Sequence, residues 1–254
     1  MPIHPVGRDY AQTLREDREL AILADKMGFV EGYFGEHFTD TAENITSSLI
    51  FIAWLLGDTK HIRLGTGTLN LPNHHPARLA AEVAMVDNMA KGRFLMGISP
   101  GGLPTDAEAM GNLDKDRNEM FLECINQVLK IWEVDPPFNI KGKYWNFKLT
   151  ENVFSEFGCG VIHRPLQLPH PPIAVPCVSR GSGTIKMAAS RGFQPFSHHM
   201  VHPDVLKDHW KTYSDTAEHS GGEARPENWK VARNIFVADS TTEAKRLAKK
   251  NTLG

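Results

Sequence analysis

Two kinds of hydrophobic pattern alternate along the chain. Short continuous apolar runs bounded by glycine or polar residues predict buried strands, and longer segments with apolar residues every three or four positions predict helices. The predicted strands are 29–35, 62–69, 93–98, 173–178, 193–197 and 231–237. The predicted helices are 14–27, 46–56, one beginning at Pro76, 118–132, 184–191, 202–220 and 241–250.

This alternation predicts an α/β protein in which helices cover a parallel sheet. A TIM (β/α)8-type barrel and an open doubly wound sheet both fit. No GxGxxG follows the first strand, and polar residues recur at the carboxyl ends of several strands, which favours the barrel. Six strands are counted, and Met1, Pro2 and Ile3 could end a further one. We therefore expect a barrel that is incomplete at its first and eighth strands.

The same pattern predicts one barrel domain over residues 1–254, truncated at its C-terminus, with an insertion at about 136–172. Within the insertion, residues 144–147 could form one strand of a hairpin. Aromatic side chains there could wall an apolar pocket, although such clusters more often serve packing. Unpaired sheet edges would favour association, so a homo-oligomer, most simply a homodimer, is expected.

Composition narrows the class of partner. A formal net charge of −2 over 254 residues offers no basis for binding nucleic acid or an anionic membrane, and no apolar run could span a bilayer. The three cysteines show no CxxC pattern, so reduced thiols and a cytoplasmic location are expected. The 12 histidines show no HExxH spacing and no metal site is predicted.

Candidate site residues follow the predicted strands. His37 follows the strand predicted at 29–35 and could carry protons near neutral pH, whereas Glu36 could orient it or be a solvated carboxylate. Asn73 and His74 lie in the loop before Pro76, where Asn73 could contact a ligand or cap the helix. Arg78 and Glu82 predict only a helix-surface ion pair.

Two further loops contain glycine and hydroxyl groups. Ser99 and Gly101 end the strand at 93–98, where a plain turn is the alternative. The loop of Arg180, Gly181, Ser182, Gly183 and Thr184 joins a strand to a helix. Backbone N–H groups and hydroxyls at a helix N-terminus suit a phosphate, although Ser182 could simply cap the helix.

Segments 36–39, 69–78 and 91–94 together resemble the bacterial luciferase-like flavin-dependent monooxygenases. The resemblance implies a TIM barrel and reduced FMN delivered by a separate flavin reductase. It also implies that O2 adds to the flavin to form a peroxyflavin, which oxidises a small apolar substrate such as an aldehyde, ketone, terpene or alkane. His37 would be the catalytic residue.

The resemblance also implies which residues bind the cofactor. Asn73 and His74 would lie beside the isoalloxazine ring, and the loop of residues 180–184 would hold the phosphate. Several family members carry an arginine where this chain has Pro100, so Arg180 could supply that charge. Two alternatives remain: an oxidoreductase that uses a deazaflavin coenzyme, and a non-catalytic flavin-binding or partner subunit.

Overall fold

The computed structural model of the chain describes residues 3–251. These residues form two compact units that divide after Pro176. Met1 and Pro2, which could have ended a first strand, lie outside the described residues, and Ile3 is not in a strand. The single barrel domain over residues 1–254 stays a prediction.

The first unit is built around parallel strands in the order β1, β2, β4, β7, with β3 beside β4. Leu64 is paired with both Gly32 of β1 and Phe94 of β4, and Met96 of β4 is paired with Ile173 of β7. The last residue of β7, Cys177, begins the second unit. The strands are β1 (Glu31–Phe34), β2 (Arg63–Thr66), β3 (Leu69–Asn70), β4 (Phe94–Ser99), β5 (Phe138–Ile140), β6 (Phe147–Leu149) and β7 (Ile173–Cys177).

All six residues of β4 are buried, which is typical of a strand covered on both faces. Glycine is required at position 97 of β4 because β2 lies very close to it: a Cβ there would be 2.0 Å from the carbonyl oxygen of Thr66. The predicted strand 62–69 is divided into β2 and β3, and the peptide bond between Gly67 and Thr68 in that break is cis.

Five helices of the first unit begin at recognisable caps or prolines. Ser47 caps the second helix through its side chain, and Pro76 is the first residue of the third, as its missing N–H allows. The fourth helix was not predicted. The helices are α1 (Tyr10–Lys26), α2 (Ser48–Leu55), α3 (Pro76–Ala90), α4 (Pro104–Ala109) and α5 (Arg117–Glu133).

The predicted insertion contains an antiparallel hairpin of β5 and β6. Phe138 and Phe147 stack across it with ring centroids 5.2 Å apart. Its connection is held to α5 because Glu123 accepts the backbone N–H groups of Lys143, Tyr144 and Trp145 at 2.8, 3.0 and 2.8 Å. Tyr144 and Trp145 therefore lie in the connection between β5 and β6 and not in a strand, in contrast to the prediction for residues 144–147.

The second unit contains a parallel pair of strands, in which Phe196 is opposite Lys230, and two helices that pack against each other. Beyond Val231 the predicted strand 231–237 is wrong: those residues form no ladder, and Ile235 and Val237 are 84% and 85% exposed. The elements are α6 (Gly183–Ser190), β8 (Gln194–Ser197), α7 (Pro203–His219), β9 (Lys230–Val231) and α8 (Thr241–Asn251). Among residues 3–251, no helix has the length and apolar character needed to cross a membrane.

Candidate active site

The carboxyl ends of β1, β2 and β4 meet at one edge of the first unit, because these strands are parallel neighbours. Glu36 and His37 follow β1, and Ser99 ends β4. Loops at this edge are the usual place for catalytic residues in parallel α/β folds.

Glu36 is buried and accepts hydrogen bonds from three residues at this edge. Its Oε1 accepts from Nε2 of His74 at 2.7 Å and from the N–H of Asn70 at 3.1 Å, and its Oε2 accepts from the Ser48 hydroxyl at 2.9 Å. Both expectations for Glu36 are therefore wrong: the carboxylate is not solvated, and it binds His74 instead of His37.

The electrostatics of this pair favour two charged side chains. Burial alone would lower the pKa of His74, but the hydrogen bond and charge of Glu36 outweigh it and raise the pKa. Burial alone would raise the pKa of Glu36, but the bonds from His74, Asn70 and Ser48 keep it below the usual carboxyl value. Since an ionised carboxylate only accepts, His74 donates through Nε2.

His37 is held by different carboxylates. Its Nδ1 lies 3.1 Å from Oδ2 of Asp106, and its Nε2 lies 3.4 Å from Oε2 of Glu43. Asp106 is buried and also accepts the N–H of Thr39 at 3.0 Å. With a carboxylate as acceptor, Nδ1 carries the proton, and Nε2 is the atom that can take up or release one.

Sequence reasoning missed Asp106 because no helix was predicted between residues 103 and 117. Leu103-Pro104 is a signal for α4, since proline is favoured at a first helical position. Asn70 was also missed; its side-chain amide donates to the backbone oxygen of Glu36 at 2.9 Å. Asn70 has no charge and lies inside an apolar run, so nothing in the pattern singled it out.

A cavity of about 130 Å³ opens at this edge. Its wall includes two predicted site residues, Asn73 and His74, whereas His37 does not line it and is bonded to the lining residue Asp106. Asn73 does not cap α3, because His75 does so by accepting the N–H of Ala77 at 3.3 Å. The cavity is lined by Glu36, Phe38, Thr46, Ser47, Asn70, Asn73, His74, Asp106 and Met110.

Ser99 and Gly101 belong to the support of this edge. The Ser99 hydroxyl donates to Oδ1 of Asn70 at 3.0 Å and accepts from the Thr68 hydroxyl at 2.7 Å and from the N–H of Gly101 at 3.1 Å. Gly101 has a φ of +75°, which favours glycine. These contacts order the turn around Pro100.

The second unit contains the loop of residues 179–184. Ser182 is at the N-cap position of α6 but makes no side-chain capping bond; its hydroxyl lies 2.6 Å from that of Thr184. Arg180 is exposed. The residues on either side of Arg180 are bound by α7: the N–H of Gly181 donates to Asp208 at 2.8 Å, and the oxygen of Ser179 lies 2.9 Å from Nε2 of His209.

His209 belongs to a buried chain of hydrogen bonds. Trp229 donates through Nε1 to the Ser197 hydroxyl at 2.9 Å, and that hydroxyl lies 3.0 Å from Nδ1 of His209. An indole N–H only donates, so the Ser197 proton is available for Nδ1. Nε2 of His209 then carries the proton that is donated to the backbone oxygen of Ser179.

The fold and the two histidine–carboxylate pairs are those of a parallel α/β enzyme. The chain belongs to the luciferase-like monooxygenase family, whose sequence profile matches residues 1–253. It is 30% identical to 3,6-diketocamphane 1,6-monooxygenase of Pseudomonas putida, over 98% of this chain and 70% of that protein. It is also 30% identical to 2,5-diketocamphane 1,2-monooxygenase 1 of the same species, over 93% and 66%. The chain thus spans about two thirds of the length of these relatives.

A solved structure is similar over nearly the whole chain. It is the oxygenating constituent of 3,6-diketocamphane monooxygenase from Pseudomonas putida, a type II Baeyer-Villiger monooxygenase in complex with FMN. The TM-score is 0.89 at 30% identity, covering 98% of this chain and 70% of that one. Two predictions are therefore confirmed: the fold class, an incomplete TIM barrel of the luciferase-like type, and the resemblance to this family.

Proposed function

We propose that this chain is the oxygenase component of a two-component monooxygenase that uses reduced FMN and O2 to oxidise an apolar ketone or terpene. The observation that carries the proposal is the cavity where Glu36–His74 and Asp106–His37 meet, at the strand edge of a chain that belongs to this family. The similar structure named as an FMN complex supports FMN over a deazaflavin.

The residues at this edge suit the polar half of an isoalloxazine ring. Asn73 can donate and accept hydrogen bonds, His74 is a cationic donor, and Phe38 and Met110 add apolar surface to the same cavity. We place the ring beside Asn73 and His74, with the turn of Ser99 and Gly101 shaping the approach. Bound reduced FMN would supply the electrons for O2 activation.

The loop of residues 180–184 in the second unit, taken by itself, suits a phosphate group. The donor set fits: Arg180 brings a positive charge, and the Ser182 and Thr184 hydroxyls accompany the N–H groups of Gly183 and the first turn of α6. A Cβ at Gly183 would meet no atom within 4 Å, which leaves the backbone there accessible, whereas the N–H of Gly181 is already donated to Asp208.

His37 is assigned the movement of protons. Asp106 accepts from Nδ1 and fixes the ring, which leaves Nε2 to hold or release a proton, with Glu43 able to stabilise the charged form. The remaining work of the chain is to exclude water and to orient the substrate. A separate flavin reductase would supply reduced FMN, because the similar structure is described as the oxygenating constituent only.

A cytoplasmic location accompanies this proposal. Cys124, Cys159 and Cys177 form no disulfide bond within the part of the chain that the structure describes, and the exposed Cys159 would be kept reduced in the cytosol.

The test uses the purified chain, a generic flavin reductase and a panel of cyclic ketones and terpenes. Oxygen consumption, oxygenated product and released hydrogen peroxide are measured together. We expect product from at least one substrate. His37→Ala should lower the product-to-peroxide ratio at least tenfold, since a general acid–base group contributes about 10²–10⁴-fold, while reduced FMN still binds.

His75→Asn is the matched control, because this neighbouring histidine is exposed and lies outside the cavity lining, and asparagine can replace it as the cap of α3. It should behave like the wild type. Binding of reduced FMN without oxygenated product from any substrate would favour a flavin-binding subunit, and an unchanged product ratio in His37→Ala would remove His37 from the mechanism.

A further inference from the structure

His74 is a positive charge on a cavity wall that otherwise carries carboxylates. Glu36 and Asp106 line the same cavity as His74. Glu36 is held in place by donors from α2 and β3, namely the Ser48 hydroxyl at 2.9 Å and the N–H of Asn70 at 3.1 Å. A buried carboxylate fixed in this way favours the protonated form of a histidine 2.7 Å from it.

One nitrogen of that charged ring is uncommitted. Nε2 of His74 donates to Glu36, whereas Nδ1 makes no hydrogen bond to any protein atom within residues 3–251. The side chain is 26% exposed, and His74 lines the cavity. A cationic donor without a protein partner suits an electron-rich or anionic atom of a ligand.

FMN in its two redox states presents different charges to such a donor. Two-electron reduction with uptake of one proton leaves a negative charge on the pyrimidine part of the isoalloxazine, whereas the oxidised ring is neutral. A charge placed near this part of a flavin changes the relative stability of its oxidised and reduced states. A cation beside it therefore attracts the reduced ring more strongly than the oxidised ring, and the carboxylates of this wall would have the opposite effect without His74.

We propose that the Glu36–His74 pair selects the redox state of FMN, with His74 contacting the anionic reduced ring and Glu36 acting as its positioning residue. This inference rests on the proposed function, because it assumes that FMN binds beside His74. It gives the pair a task separate from that of His37: retaining the reduced cofactor delivered by the reductase and letting the oxidised form leave.

The test is a pair of binding titrations with the whole chain, using reduced FMN under anaerobic conditions and oxidised FMN in air. The variants are His74→Gln, which keeps an N–H donor for Glu36 without the charge, and His74→Lys, which keeps the charge. His75→Gln is the control. We expect His74→Gln to lower the ratio of reduced to oxidised affinity about tenfold, as for the loss of one partly screened charge interaction.

By linkage, a tenfold fall corresponds to a midpoint potential of bound FMN that is lower by about 30 mV for a two-electron couple. His74→Lys and His75→Gln should keep the wild-type ratio. Circular dichroism verifies that each variant is folded.

An unchanged ratio in folded His74→Gln overturns the inference, as does a wild type that binds both forms equally, and in either case the FMN-dependent function stands. A wild type that binds neither form overturns the proposed function together with the inference. Loss of the preference in His74→Lys as well would show that ring shape and not charge is responsible, which also contradicts the inference.

Discussion

At the scale of single residues, two histidines at one strand edge have different electrostatic surroundings. Glu36 and His74 form a buried ion pair in which each side chain stabilises the charge of the other. His37 is bonded to Asp106 at a more exposed position. The sequence pointed to His37 and His74 because each follows a strand, but the partner of each histidine comes from a different segment and could not be paired by spacing.

The Glu36–His74 pair predicts a particular dependence of stability on pH. The pKa of His74 is raised from 6.5, so its contribution is complete below that value and is lost as pH rises through the folded pKa. The pKa of Glu36 is lowered from 4.5, so its contribution is complete above that value and is lost as pH falls through the folded pKa.

We therefore expect His74→Gln to lower the free energy of unfolding by roughly 1–3 kcal/mol, most strongly between about pH 4.5 and 6.5, bounded by the ordinary pKa values of the two groups. Urea denaturation of wild type and variant across this range measures the difference. His75→Gln should show no such maximum. A difference for His74→Gln that stays constant with pH would contradict the ion pair.

At the scale of elements, hydrophobic periodicity was sufficient to predict the position of an element that is long or fully buried. β4 and α5 were predicted to within one or two residues because their apolar positions are continuous or strictly periodic. α4 has only six residues, and the strand expected at 231–237 has too little pairing to form beyond Val231. Short elements depend on tertiary contacts that a local pattern does not contain.

The loop of residues 179–184 illustrates such contacts, since α7 binds it through Asp208 and His209. If this loop holds the FMN phosphate, His209→Leu should weaken FMN binding about tenfold, because Ser179 and Ser197 each lose a hydrogen bond and the loop that contains Arg180 loses a contact with α7. Binding of riboflavin, which has no phosphate, should not change. His209→Gln, which keeps a donor for Ser179, should recover most of the affinity; equal losses for FMN and riboflavin would indicate a general structural role.

At the scale of the whole molecule, the order of strands and helices made the fold class predictable, whereas association requires knowledge of which side chains remain exposed. Two neighbouring helices of the first unit expose apolar pairs one turn apart. Ile50 and Trp54 of α2 are 73% and 44% exposed, and Met85 and Met89 of α3 are 64% and 44% exposed. No pattern in the sequence singled out these four positions.

We predict that these four residues form the interface of a homodimer. Residues at i and i+4 share one helix face, and a patch of this kind is more apolar than the surface of a monomer usually is. Sedimentation should give twice the chain mass for the wild type and the single chain mass for the double variant Ile50→Glu, Met85→Glu. The control Leu20→Glu, at a 56% exposed position of α1, should remain dimeric. A monomeric wild type, or a dimer that survives both charges, would show that this surface is not the interface.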